Sequence, residues 1–417
     1  MAGFTNINAV SAHSLSGRPV AVLDPRLKAA LFAIEGLNSI STTYFFYYIY
    51  FLMKERFGFD DFHNFLLASG QGLAYAVLAI WGGRFAQKRG YFLALGLGLS
   101  VMSGAWLLAP LASGAPMIIT LMITATLGMC FTWPTLEALV TEGEPSGRIP
   151  KMLGIYNVVW AVTAAFAFFT GGVMIKHWGW NAMFLVPAGV GALELILAIW
   201  VRQHVPKQRV PVMAEDSKAE VAHEEVARSP ISPKTFQKMA WLANPLAYLA
   251  INTLLPVLPT IAGRLNVDTA TSGFLCSIWM FTRSGSFAAL WFWPKWHYRF
   301  RFLAGAFVVM VGAFGMILLI PQLWALIVAQ VFFGLAVGLI YYSSLFYSMD
   351  SGDAKGEHGG IHEGAIGAGN CLGPAMAAGG VRLFQGHPAG GAWAVILFLL
   401  AGLGALYWLR YRDRVSK

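Results

Sequence analysis

From Val201 to Lys238 the chain reads VRQHVPKQRVPVMAEDSKAEVAHEEVARSPISPKTFQK, and no other long run lets charged residues and prolines crowd out the apolar ones. It sits near the middle of 417 residues. Six apolar segments of about 20 residues precede it and six follow, each long enough at about 1.5 Å per residue to cross a hydrocarbon core of about 30 Å. The order is therefore six helices, a polar linker and six helices.

Composition supports this reading. Hydrophobic residues make up 57% of the chain and charged residues 12%, about half the charged share expected of a soluble domain. An outer-membrane barrel would show ten-residue alternation, whereas 91–112 (YFLALGLGLSVMSGAWLLAPLA) is continuously apolar, so helices satisfy the backbone in lipid. The fold class is an all-α membrane protein of twelve helices in two pseudo-symmetric bundles. The first bundle takes 28–201 and the second 239–410, with 202–238 as linker and 1–27 and 411–417 as tails. Segments 1 to 6 are read at 28–53, 62–82, 91–112, 116–140, 152–175 and 182–201. Segments 7 to 12 are read at 239–263, 270–294, 302–320, 323–349, 359–384 and 391–410.

The net charge of +9 could suggest a nucleic-acid partner, but its placement reports topology instead. With the N-terminus cytoplasmic, 23 of the 29 Lys and Arg residues fall on the inner side, a positive-inside bias that puts both termini in the cytoplasm and the chain in the inner membrane. Cys130, Cys276 and Cys371 all fall within membrane segments, so free buried thiols are expected rather than a disulfide framework. The first 26 residues lack a charged region leading into a short apolar stretch and cleavage site, and are read as a cytoplasmic tail.

The halves also match each other. Gln87-Lys88-Arg89-Gly90-Tyr91-Phe92-Leu93 aligns with His297-Tyr298-Arg299-Phe300-Arg301-Phe302-Leu303 at an offset of 210, and Gly171-Gly172-Val173 aligns with Gly379-Gly380-Val381 at 208. Repeated six-helix units around a linker are the pattern of secondary transporters, whose bundles rock about a midplane site. Between segments 2 and 3 stands Gly83-Arg84-Phe85-Ala86-Gln87-Lys88-Arg89-Gly90. With Gly83, Ala86, Lys88 and Gly90 in place, this stretch resembles the cytoplasmic loop motif of the major facilitator superfamily. Gln87 stands where that family carries an acid, which removes the charge-assisted latch. The Gly-Pro signature of segment 5 in the family's drug and proton antiporters is not formed, because Gly171-Gly172 lacks the proline. Gly334, Gly338, Gly369 and Gly373 are expected to serve close helix packing.

Ionisable side chains inside lipid are costly and mark function unless a structural partner explains them. Arg283 lies near the middle of segment 8, on a stripe with Ser272, Cys276, Trp279 and Ser286. Its guanidinium stays charged and needs an anion or several acceptors, either a substrate or a carboxylate such as Glu35. Glu35 shares a face of segment 1 with Asn38 and Thr42, and can carry a proton. Glu137 closes a segment 4 stripe of Thr126, Cys130 and Trp133 and is the second proton-coupling residue, with a gate or helix-end contact as the alternative. Glu363 and His362 are expected at a gate or solvated helix end. His358 is four residues from His362, but Gly359 and Gly360 lie between them and no third ligand cluster follows, so no metal is expected. Glu194 has no evident role.

Further substrate contacts are expected from Asn38 and Tyr44 on segment 1, Trp133 on segment 4, Asn157 and Trp160 on segment 5, Asn252 on segment 7, Trp279 on segment 8, Tyr341 on segment 10 and Asn370 on segment 11. Tyr48 and Tyr342 line the same side. No phosphate-binding loop and no catalytic constellation occur, so neither cofactor nor enzymatic activity is expected, and the driving force is an ion or substrate gradient. The expected partners are a small-molecule substrate, a proton and the lipid bilayer, with the chain acting as a monomer. A midplane Arg on segment 8 resembles the monocarboxylate branch of the superfamily, although Trp279 stands where its vertebrate members carry an acid. The leading function is proton-coupled transport of a small organic anion. Carriage of a neutral polar solute such as a sugar or nucleoside comes next, then multidrug efflux, and a non-transporting receptor or channel is the contrasting class.

Overall fold

The computed structural model describes residues 23–144, 148–205, 231–350, 355–384, 387 and 389–415, and among these there is no strand. The first half contains α1 (Pro25–Phe57), α2 (Asp61–Arg89), α3 (Tyr91–Leu108), α4 (Ala115–Thr141), α5 (Ile149–Trp178) and α6 (Ala182–His204). The second contains α7 (Pro233–Leu254), joined by a 3-10 turn to α8 (Leu258–Arg264), then α9 (Thr269–Cys276), α10 (Ile278–Phe292), α11 (Phe300–Leu319), α12 (Leu323–Asp350), α13 (Lys355–Leu383) and α14 (Gly390–Val415).

Local chemistry sets many of these boundaries. Asp24 caps α1 by accepting from the Arg26 amide at 2.7 Å, and Pro25 supplies a first helical residue that needs no donor. Gly58 ends α1 at φ +68°, a left-handed conformation that favours glycine. Asp60 and Asp268 cap α2 and α9, and Ser232 followed by Pro233 starts α7. These caps lie outside the apolar runs. The helices consequently overrun the ranges read from hydropathy, and the linker loses 202–204 to α6 and 233–238 to α7.

The duplication is visible in the helix starts. α1 and α7, α2 and α9, α4 and α12, and α6 and α14 each begin 208 positions apart. Segment 7 is one run through α7 and α8, whereas segment 8 is divided at Ser277 into α9 and α10. Nine of the described helical runs are long and apolar enough to cross a membrane. The long segments outside that group are α1, α9 with α10, and α13. These three carry Glu35, Arg283 and Glu363.

Both halves contribute to one continuous apolar core. They meet where glycines let backbones touch. A Cβ on Gly72 would lie 2.4 Å from the Asn370 carbonyl carbon, and one on Gly367 would lie 2.5 Å from the Ala76 Cα, so α2 and α13 pack directly. A Cβ on Gly172 would stand 2.2 Å from the Thr269 carbonyl oxygen, which fixes α5 against α9. On the side of the molecule away from the termini, polar contacts join the halves as well. Lys54 Nζ donates to Thr260 Oγ1 at 2.7 Å, Thr260 bonds Asp61, Asn64 Nδ2 donates to the Pro256 carbonyl at 3.3 Å, and Lys176 pairs with Asp268 at 2.8 Å. The distal side is thus held closed across the halves.

Within the second half, Gly334 abuts the Trp279 carbonyl, Gly338 abuts Ser286, and Gly369 and Gly373 abut the Pro245 and Leu249 carbonyls, all close-packing positions. Gly83 of the loop motif has no such neighbour. Gly82 does, because its Cβ would meet the Cys130 carbonyl oxygen at 2.3 Å. Gly90 serves the turn at φ +105° and donates its amide to the Ala86 carbonyl. Close approach therefore belongs to Gly82 and the tight turn to Gly90.

Candidate functional site

Arg283 projects from α10 into the interface between the halves and is only 4% exposed. Its Cζ lies 4.7 Å from the Trp160 ring centroid, 5.1 Å from Tyr341, 5.5 Å from Phe287 and 5.6 Å from Tyr248. Nη2 donates to the Tyr248 hydroxyl at 3.2 Å, while Nε has no partner among the described residues. No described carboxylate lies within 4.0 Å. The expected pair with Glu35 is therefore absent here. Four aromatic faces stabilise the cation through their quadrupoles, about 0.5–2 kcal/mol each, but leave a donor unused.

The carboxyls gather nearby. Glu35 is buried on α1, where Ser39 Oγ donates to Oε1 at 3.2 Å and Oε2 has no partner. The Tyr156 side chain also faces this carboxyl. Glu363 accepts a hydrogen bond from the Tyr75 hydroxyl of α2. Glu137 is electrostatically coupled to both Glu35 and Glu363. Measured from the ends of their helices on the side of the termini, at about 1.5 Å per residue, Glu35, Arg283 and Glu363 lie at a common depth of about 12–15 Å. The cluster thus brings together three interacting carboxyls and one guanidinium with no salt bridge to it among the described residues. Such a set can bind an anion while gaining or losing protons.

Other expected residues divide by surroundings. Trp160 faces Arg283 and is oriented by Asn157, whose Oδ1 accepts the indole N–H at 2.9 Å and whose Nδ2 donates to the Leu153 carbonyl. Asn157 is buried and spends its groups locally, so it positions Trp160. Tyr341 belongs to the Arg283 cage, and Trp133 packs on Tyr75 with centroids 6.1 Å apart. Asn252 and Asn370 bond each other at 2.5 Å across α7 and α13. Asn38 donates to Thr132 at 3.4 Å and leaves Oδ1 unpartnered.

Several expectations need correction. Trp279 does not share the Arg283 site, because its ring packs on Phe333 of α12 and it is buried at that interface. Tyr44 bonds Thr170 Oγ1 at 2.9 Å, and Tyr48 donates to the Phe168 carbonyl at 2.6 Å, so both tie α1 to α5. Glu363 is not at a solvated helix end, since α13 begins at Lys355 and places it two turns inside. The side chains of His358 and His362 lie outside the described residues, as does the linker between 206 and 230. Gln87 and Lys88 close α2 in its last turn, away from the Arg283 cluster.

Sequence reading missed Tyr75 and Tyr248, although a signal existed. Tyr75 is 208 positions before Arg283, and Trp133 is 208 before Tyr341. The Tyr75 with Trp133 pair is thus the first-half counterpart of Arg283 with Tyr341.

The comparisons agree with this architecture. The family model described as Major Facilitator Superfamily matches residues 31–378. The chain belongs to that superfamily. It is 31% identical over 134 residues, 32% of this chain, to an uncharacterised MFS-type transporter, Rv1250, of Mycobacterium tuberculosis. It is also 27% identical over 141 residues, 34% of this chain, to a methylenomycin A resistance protein of Bacillus subtilis. The matches span 23% and 30% of those relatives' length. A crystal structure of a bacterial homologue of the human lysosomal transporter Spinster, inward-facing and occupied, superposes with TM-score 0.67 at 18% identity over 95% of this chain and 99% of that one. The chain thus shares the all-helical fold of that superfamily, and nine of its described helical runs are long and apolar enough to cross a membrane.

Proposed function

We propose that the protein transports a small organic anion, such as a monocarboxylate, by alternating access coupled to protons. The carrying observation is Arg283, a buried guanidinium that, among the described residues, has one hydrogen bond to a phenol, an unpartnered Nε and no carboxylate within 4.0 Å. A carboxylate presented to this fork would take two parallel charge-assisted hydrogen bonds. Glu35 supplies the proton site, buried on α1 with Ser39 and Tyr156 against its carboxyl, and Glu137 is its coupled neighbour. Arg283 together with Trp160, Tyr341 and Tyr248 forms the substrate contact, while Asn38, Trp133 and the Asn252–Asn370 pair border it.

The positive-inside pattern supports cytoplasmic termini in an inner membrane, with α1, α9 with α10, and α13 crossing alongside the nine apolar runs. Closure on the distal side then corresponds to an inward-facing state. Protease added to inside-out vesicles is expected to cut between Lys207 and Lys234, and cutting at the distal loops instead would overturn that orientation.

The decisive experiment uses Arg283→Lys. A thermal-shift screen of organic acids, sugars, nucleosides and drugs on the purified protein first identifies a ligand. Lysine keeps the charge and loses the fork, so a loss of about 1.5–3 kcal/mol in binding is expected, roughly a tenfold to hundredfold weaker Kd. Unchanged affinity in the folded variant would refute anion binding. A second reading, efflux of a drug-like compound, draws on the resistance protein among the relatives and the ring-lined site. A screen in which only uncharged or cationic drugs stabilise the protein would favour it.

A further inference from the structure

Glu194 lies on α6, inside the first bundle and outside the Arg283 cluster, with a relative exposure of 0%. Oε1 is 2.9 Å from Ser41 Oγ, and Oε2 has no partner among the described residues. Ser41 Oγ is also 3.0 Å from the Leu37 carbonyl, one helical turn back. A serine hydroxyl has one proton to give. If it goes to Leu37, Glu194 must be the donor to Ser41 and is a neutral acid. If it goes to Glu194, an ionised carboxylate is buried with a bare oxygen and no described cation, which is the costly arrangement. The hydrogen-bond count therefore favours a protonated Glu194.

The scaffold does not require this carboxyl. At 208 positions later, Glu194 corresponds to Gly402 and Ser41 to Leu249, and Asn38 to Leu246. In the second bundle that corner is apolar, with Leu246 packed against Gly402 and Leu249 buried. The first bundle instead carries several buried polar atoms with no partner among the described residues: Glu194 Oε2 on α6, Ser103 Oγ and Trp106 Nε1 on α3, and Asn38 Oδ1 and Glu35 Oε2 on α1. Gly191 brings α6 against Ser103. Among the described residues Glu35 is a titratable side chain that interacts with Glu194, and Ser103 of α3 stands against α6 at Gly191.

We propose that Glu194 is a second exchangeable proton-binding site, held by Ser41 and coupled to Glu35 through α1. The first bundle would then bind two protons, one facing the substrate cluster and one behind it. This does not depend on the substrate or on Glu35 driving transport.

The test is infrared difference spectroscopy of the full chain in liposomes, with bulk pH as the only variable. Wild type is expected to show a protonated-carboxyl band at neutral pH that bleaches on alkalinisation and is missing in Glu194→Gln. Proton release measured with a pH indicator is expected to fall by one per chain in that variant. Ser41→Ala, which keeps the acid and removes its acceptor, is expected to shift the same band to higher frequency, giving a readout if Glu194→Gln fails to fold. An unchanged protonated-acid spectrum in Glu194→Gln, no shift in Ser41→Ala, or a Glu194 band that never bleaches would each overturn the proposal.

Discussion

The two halves share a scaffold and differ in what they place on it. In the first, Tyr75 of α2 reaches across to Glu363 of α13 and packs on Trp133 of α4. In the second, Arg283 of α10, 208 positions later, reaches across to Trp160 of α5 and packs on Tyr341 of α12. α13 is the counterpart of α5. The same crossing is thus made twice, once with a phenol serving an acid and once with a guanidinium on an indole. Three buried or half-buried carboxyls, Glu35, Glu137 and Glu194, belong to the first half, whose described interior shows no buried cation against them. Duplication set the geometry of approach, and under the proposed function proton binding lies mainly on one side and anion binding on the other.

If the halves divide labour in this way, their functions should separate by mutation. Glu35→Gln keeps the size and neutral hydrogen bonding of a protonated acid. It is expected to abolish proton-driven accumulation while leaving counterflow exchange, because exchange needs a loaded site and not the release of a proton. Transport in liposomes with and without an imposed pH gradient checks this. Undiminished gradient-driven uptake would move coupling to Glu137, Glu363 or Glu194.

Arg283 offers the reciprocal test. With no described carboxylate within 4.0 Å of it, removing Glu35 does not relieve an unpaired partner. The double variant Arg283→Ala with Glu35→Gln is therefore expected to bind substrate no better than Arg283→Ala alone, whose affinity should fall at least tenfold. Recovery of binding in the double variant would show that the two charges pair in another state, and the division between halves would fail.

Much of this architecture was legible in the chain because lipid simplifies the problem. Backbone groups must bond within a helix, so continuous apolar runs declare themselves and the linker stands out. Arg283, Glu35 and Glu363 were equally visible as exceptions to apolarity. Rotation about the helix axis was not legible. Trp279 and Arg283 are one turn apart on one stripe, yet the first is buried against Phe333 and the second faces the other half. Asn157 and Asn252 read as free polar groups, but each is used locally, by Trp160 and by Asn370. Partners of this kind depend on tertiary packing, which spacing along one helix does not encode. The break at Ser277 was invisible for a related reason, since neither glycine nor proline marks it.

The distal closure sharpens the comparison further, because under the proposed alternating access both halves must part there. Gly172 has the Thr269 carbonyl 2.2 Å from where its Cβ would sit, so no side chain fits while that side is closed. Gly172→Val is expected to hold the distal side open. Labelling of a cysteine introduced at Thr269 should rise several-fold relative to the same cysteine with Gly172 intact. At its second-half counterpart, Gly380, the atoms nearest to an added Cβ belong to Gly390 and Ala394 of its own half. Gly380→Ala should therefore leave distal labelling unchanged, whatever it does to stability.

The smallest effect is expected at the Lys176–Asp268 pair, where both side chains are substantially exposed. Asp268 caps α9 and accepts from the Thr271 amide at 2.8 Å. The Lys176 ammonium, and after it Thr271, hold the Asp268 carboxyl well below the usual Asp range. A depressed value in the closed state means the contact contributes fully above the ordinary Asp range, near about pH 4, and is lost only as pH falls through the lowered value. Between about pH 7 and 5 this pair should therefore not respond to pH. Salt is the stronger variable, because an exposed pair is screened beyond a Debye length of about 8 Å at physiological ionic strength. Lys176→Gln should raise distal labelling by a few-fold at most, and the increment should shrink at high salt. A pH-dependent opening over pH 7 to 5 that survives in Lys176→Gln belongs to the interior carboxyls of the first half. One that disappears in Lys176→Gln would place the proton response at the distal seam, and the assignment of proton binding to the first bundle would lose its basis.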